Sequence, residues 1–320
     1  MGFEETPQYR LSSARLDLIE DKPEQAIEKI EALRADNPAL EQELIPDLAR
    51  AEALSGDVQG ALDRLVSLAR VRGQGRDVPV WREAAALVAA KGTREMTLAL
   101  ADILLGHAPS RPDLQILGIE LLIREGDIEE AKVSATDLAT AEPELPSAHI
   151  TLGTVRMKLG ETAEAEKSFR TALELRPEDP EAWLMLIGSV HGLDTYTHDG
   201  SGDEHGVVFD ILNEAIAANP DSAKLRTELG LLHLSDGQLP EAISAFDGAL
   251  ERSPGYLPAL SLGALARADT GADLDTARGL AGLARELAPD DPIAQDIEGW
   301  IAFKSGDFDK ARTALQASLE

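Results

Sequence analysis

The sequence contains no cysteine, which removes disulfides, thiolate nucleophiles and cysteine-based zinc sites and leaves the redox compartment open. Aromatic residues are scarce at 4%, so Ala and Leu must supply most of the interior, and small side chains of that kind suit closely packed helices. Basic residues are few, 30 Lys and Arg against 58 Asp and Glu, for a formal charge of -28. Nucleic acid needs basic contacts for its phosphates and is disfavoured as a partner. No apolar run approaches a membrane span, and the opening residues MGFEETPQYR hold no hydrophobic leader. A G-x-x-x-x-G-K-[ST] phosphate loop and an H-E-x-x-H zinc helix are missing, as is a G-x-S-x-G elbow. Carboxylates are so numerous that a pair at any one spacing has no diagnostic value. No catalytic residue and no cofactor is assigned.

What the chain does have is a repeat. A Gly is followed five residues later by an Ala at Gly56 and Ala61, Gly126 and Ala131, Gly160 and Ala165, Gly237 and Ala242, and Gly306 and Ala311. Near matches extend the anchors to Ala26, Ala61, Thr97, Ala131, Ala165, Val208, Ala242, Ala277 and Ala311. Their spacing is close to 34 residues throughout except around Val208, and about 34 residues is the length of one helix–turn–helix unit.

The segment from Pro146 to Pro177 resembles the tetratricopeptide family in detail: Leu152-Gly153, the turn Gly160, Ala165 and Phe169, Ala172, and the closing Pro177. The same set recurs as Leu229-Gly230, Gly237, Ala242, Phe246, Ala249 and Pro254. Glycines at 153, 230, 263 and 299 permit close helix crossing, Gly160 and Gly237 permit the positive φ that ends a first helix, and Pro143, Pro177, Pro220, Pro254 and Pro289 stop the second. The resemblance implies an all-α solenoid, a right-handed superhelix of about nine helical hairpins. The units span 7–41, 42–77, 78–111, 112–145, 146–179, 180–222, 223–255, 256–291 and 292–320. Units three and four depart from the pattern, with Thr97 at a small position and Gly118-Ile119 displaced by one. Unit six has Ile187 and Val208 at both small positions, and unit eight has extra residues around Asp269 to Asp273.

In this family the first helices line a concave face on which partner peptides or helices lie. Counted from each repeat start, the face in mid-array carries Ile150, Thr154, Met157, Leu184, Met185, Gly188, Leu231 and Leu234, each of which is open to the alternative of packing against a neighbouring helix. Toward the ends it is more charged, with Arg15, Asp47, Arg50, Glu83 and Glu120 on one side and Arg267, Asp296 and Lys304 on the other. A protein or peptide partner, basic or an amphipathic helix, fits that pattern. The family's carboxylate clamp for chaperone tails needs Lys and Asn on first helices, whereas Asn37, Asn213 and Asn219 all fall on or after second helices.

The insertion in unit six, His191 to Gly206, is read as a loop between the hairpin's two helices. His191, His198 and His205 are the residues that would ligate zinc or nickel there, against a solvated loop or a protein-contact element. No metal site is assigned. The last unit ends without a capping helix, so either the native chain continues or the open end self-associates. Met1-Gly2 and Leu319-Glu320 resemble cloning remnants, which leaves localisation unknown: periplasmic if a leader was removed, otherwise cytoplasmic. Two readings follow, a non-enzymatic protein-interaction scaffold, or an excised periplasmic segment of a bacterial envelope protein serving exopolysaccharide export or surface assembly.

Overall fold

A computed structural model describes residues 6–72, 77–106, 111–191, 202–271 and 273–318. Among them are eighteen α-helices and no strand. They are α1 (Pro7–Ile19), α2 (Pro23–Asp36), α3 (Glu41–Ser55), α4 (Val58–Arg72), α5 (Val78–Lys91), α6 (Arg94–Leu105), α7 (Pro112–Glu125), α8 (Ile128–Ala141) and α9 (Pro146–Lys158). The series continues with α10 (Thr162–Leu175), α11 (Pro180–His191), α12 (Gly202–Ala218), α13 (Ala223–Ser235), α14 (Leu239–Arg252), α15 (Leu257–Thr270), α16 (Leu274–Leu287), α17 (Pro292–Lys304) and α18 (Phe308–Ala317). None of these helices is long and apolar enough to cross a membrane.

Local chemistry sets the helix ends. Proline opens α1, α7, α9, α11 and α17, where its fixed φ suits the first turn and its missing N–H is not needed. Side-chain caps add to this: Thr6 accepts from the Tyr9 N–H at 3.2 Å and Thr93 from the Met96 N–H at 3.3 Å. First helices end on glycine as the repeat pattern requires, with φ of 74° at Gly160 and 71° at Gly237. Second helices stop two residues before Pro143, Pro177, Pro220, Pro254 and Pro289, since the residue preceding a proline is pushed out of helical geometry.

The chain divides into two compact units, Met1–Leu159 and Gly160–Glu320. Each is an α-solenoid of helical hairpins. In the first, α3, α5, α7 and α9 touch in succession, and in the second α13, α15 and α17 do so. The second helices make no comparable contact with one another, which puts the first helices on the inner side of the stack within each unit.

One large cluster fills the first unit from α3 to α9, including Trp81, Leu65, Leu100, Leu104, Leu114 and Leu138. Its irregular hairpin is the third, where α6 packs far more on α7 than on α5. Gly118 makes that possible, because a Cβ there would lie 3.0 Å from Leu105 and 3.2 Å from the Ala101 carbonyl. Thr97 is fully buried at its small position and satisfies its hydroxyl by donating to the Thr93 carbonyl at 3.1 Å.

The second unit packs on glycine and phenylalanine. A Cβ at Gly230 would fall 2.5 Å from the Phe246 ring, and one at Gly299 would fall 2.7 Å from Leu315. In the sixth hairpin, Val208 and Leu212 of α12 pack with Ile187 of α11 and Leu232 of α13. Of the insertion assigned to 191–206, His191 closes α11 and α12 begins at Gly202, while 192–201 lie outside the described residues.

Candidate partner-binding surface

The eight residues assigned to the inner face divide between the units. In the first, Ile150 and Thr154 are half-buried and Met157 is 9% exposed, so Met157 is interior. The Thr154 hydroxyl donates to the Ile150 carbonyl at 2.9 Å and has no proton free for a partner. In the second, Met185 is 37% exposed, while Leu184, Gly188, Leu231 and Leu234 are half-buried. A Cβ at Gly188 would meet nothing within 4 Å among the described residues. Leu234 packs against the cluster of Ala242, Phe246 and Ala266. The surface left open is therefore carried by Leu184, Met185 and Gly188 on α11 and by Leu231 on α13. These two helices are joined through α12 rather than by extensive direct contact.

The charged residues of this face have distinct fates. Arg15 of α1 donates to both Asp47 oxygens, at 2.8 Å for the shorter ion pair, and Asp47 is only 6% exposed. The hydrogen bond to Asp47 and its charge raise the guanidinium pKa. Arg50 and Glu83 approach to 3.6 Å across α3 and α5. Glu120 on α7 remains open to solvent, yet the protein around it desolvates its carboxyl and raises its pKa, against the pull of Arg82. Arg267, expected as a surface charge, is instead buried. It donates to Asp247 at 2.6 Å and to the Gly263 carbonyl at 3.1 Å, clasping α14 to α15. Its long side chain covers helix crossing while its fork finds two acceptors.

Two features escaped the sequence reading. The first is a cavity of about 250 Å³ between α3 and α5, walled by Ala49, Ala53, Leu54, Ala86, Leu87 and Ala90. It is smaller than the ~300–1,000 Å³ of small-molecule sites and has the scale of a single side chain. Lys91 closes one end by donating to the Ala53 carbonyl at 3.1 Å. The alanines were readable, but as core residues.

The second is a buried polar node. Asp77, 5% exposed, accepts from Trp81 Nε1 at 3.0 Å and from Arg111 at 3.0 and 3.3 Å. Arg111 also donates to Asp113 at 2.8 Å. Burial alone would raise the Asp77 pKa, but the hydrogen bonds from Arg111 and Trp81 outweigh it and hold the carboxyl below its usual value. The node ties the starts of α5 and α7 together. Its one sequence signal was the 34-residue separation of Asp77 and Arg111, the repeat length itself.

Among the described residues no group of three or more His, Asp or Glu is arranged to hold a metal. His198 lies outside the described residues, and the side chains of His191 and His205 are likewise not described.

Comparison with known proteins agrees with the geometry. Residues 122–188 and 210–256 match tetratricopeptide repeat family models. A solved structure of pilF from Pseudomonas aeruginosa is 18% identical, covers 63% of this chain and 88% of its own, and has a TM-score of 0.50. Cut9, solved with Hcn1 as an APC/C hetero-tetramer, is 16% identical over 94% of this chain and 56% of its own, also at 0.50. A crystal structure of MamA is 24% identical over 53% of this chain and 94% of its own, with a TM-score of 0.42. No curated protein is significantly similar in sequence. At these identities the structural likeness establishes the fold alone.

Proposed function

Because the chain carries tetratricopeptide repeats and folds as helical hairpins, we propose that it is a non-enzymatic protein-interaction scaffold whose first-helix face receives a peptide or helix of a partner. The observation that carries this reading is the uncovered apolar surface of α11 and α13. Met185 is exposed, Leu184 on the same helix and Leu231 on α13 are half-exposed, and Gly188 leaves room among the described residues for an incoming side chain. An unbranched methionine adapts its shape to different apolar partners. Hydrophobic anchors on an amphipathic helix, spaced to meet consecutive first helices, match such a face. The prevailing negative charge favours basic partners and speeds their approach.

The test is capture of partners by the purified chain and by Met185→Glu and Leu231→Glu variants, each checked for helicity. A buried carboxylate without a counter-ion on this face is unfavourable, so both variants should lose the captured protein. Retention of the same partner at undiminished affinity by both variants removes the first-helix face from the account.

A further inference from the structure

A cavity of about 360 Å³ lies between α16 and α18 with α17 as its floor, a size within the ~300–1,000 Å³ of small-molecule sites. Two second helices wall it, which separates it from the first-helix face. Ala281, Ile301 and Ala302, all buried, make the floor apolar. The sequence explains why the space is empty. Counted from the anchors Ala242 and Ala277, Ala281 stands where α14 has Phe246, and Gly282 stands where α14 has Asp247. In α14 the phenylalanine is fully buried and the aspartate reaches Arg267 of α15 at 2.6 Å. A Cβ at Gly282 would meet nothing within 4 Å among the described residues, so α16 leaves its furrow unfilled.

The furrow runs along α17 from Glu298 to Ser305, about 10 Å at the rise of a helix, and its two ends differ. At the Glu298 end, Lys310 of α18 pairs with the carboxylate at 2.9 Å, and the two charges cancel. At the Ser305 end stand Arg278 of α16 and Asp307 of the α17–α18 turn. Arg278 donates to Ser305 Oγ at 3.2 Å and to Asp275 at 2.8 Å, and an exposed pairing of that kind is weak enough to exchange for a ligand. Ser305 spends its own proton on the Ile301 carbonyl at 2.7 Å, so toward the cavity its oxygen only accepts. Asp307 accepts from the Lys310 N–H at 3.2 Å through Oδ1, and a carboxylate has lone pairs for further donors. This end therefore presents a guanidinium beside two acceptors.

We propose that the cavity binds a free α-amino acid with an apolar side chain. The side chain lies over Ala281, Ile301 and Ala302, the carboxylate meets Arg278, and the ammonium meets Ser305 and Asp307. Charge at one end selects this class. A guanidinium grips a carboxylate through parallel N–H donors, and an ammonium brings three donors to neighbouring acceptors. A ligand carrying both groups on one carbon matches such an end without leaving a charge unpaired. Affinity then grows with the apolar area that its side chain covers on the floor. The inference does not depend on the scaffold reading, since it concerns a small ligand and residues separate from Met185 and Leu231.

Calorimetry on the full chain, with L-phenylalanine and L-leucine as probes, tests this. One molecule should bind per chain. Phenylpropionate, which lacks the ammonium, and L-phenylalaninamide, which lacks the carboxylate, should each bind at least about tenfold more weakly than L-phenylalanine. Gly282→Leu fills the furrow and favours the helix, so it should abolish binding while preserving helicity and thermal stability. Arg278→Gln should weaken L-phenylalanine by at least about tenfold yet leave L-phenylalaninamide unchanged, a split that mere loosening of α16 would not give. Failure of both amino acids to show saturable binding by about 10 mM would overturn the proposal, as would undiminished binding to Gly282→Leu. Equal affinity for phenylpropionate would assign the cavity to simple carboxylates and overturn it as well. Each of these outcomes leaves the capture of protein through Met185 and Leu231 untouched.

Discussion

Where α13 meets α14, a glycine admits a phenylalanine ring; where α5 meets α7, an aspartate, an arginine and a tryptophan do the joining. Phe246 is fully buried beside Gly230, and its contribution comes from area removed from water and dense contact. The Asp77–Arg111 node buys orientation instead, since a buried ion pair spends much of its attraction on desolvation. Among the described residues the first unit has a cluster spanning α3 to α9 and another over α1 to α3, and the second has several over α11 to α17. A solenoid needs each hairpin to fit only its neighbours, so units with different joints satisfy the same architecture.

This comparison can be broken most forcefully at the joints. Phe246→Ala leaves a ring-sized void between Gly230 and Gly263 and should destabilise the second unit by about 4 kcal/mol. The first unit should keep its hydrogen-exchange protection. Arg111→Ala strands the Asp77 carboxylate in a buried site and should destabilise the first unit by about 3 kcal/mol, with exchange accelerated in α5 and α7. If either variant loosened both units equally, the two would not be separable in stability.

Acid should sharpen the same contrast. The Asp77 and Asp113 carboxyls are held below their ordinary values in the folded chain. The stability they confer is therefore present above the unfolded carboxylate value and lost as pH falls below about 4. Exchange or circular dichroism followed through that range should show α5 and α7 loosening early, and Asp77→Asn should flatten the response. Gly126→Ala and Gly237→Ala put a side chain at φ of 84° and 71° and should each cost about 1–2 kcal/mol. Similar losses in both units are expected, because the turn glycine does the same work in each. The smallest effect belongs to Arg50→Ala, whose loose exposed pair with Glu83 should contribute within about 0.5 kcal/mol.

The fold was legible because its determinants are local and periodic. Gly160, Gly237 and the prolines two residues past α8, α10, α12, α14 and α16 mark hairpins in any order of reading, and Gly230 with Phe246 announces a close crossing. The third hairpin was harder, since Gly118 serves α6 and α7 across a repeat boundary rather than within a repeat. The surface was less legible still. Position in the repeat places Met157 and Leu234 beside Met185 and Leu231, but exposure depends on what the neighbouring hairpin supplies. Met157 is interior, Leu234 joins the Phe246 cluster, and Arg267 finds Asp247. The α3–α5 cavity and the furrow over α17 arise from side chains that are unremarkable one at a time and significant only when adjacent.

The most direct test of a scaffold that binds through its first helices is hydrogen exchange of the chain with and without a captured partner. The account expects slowed exchange concentrated in first helices, α11 and α13 above all, with α10, α14 and α16 unchanged. Protection confined to second helices would contradict it.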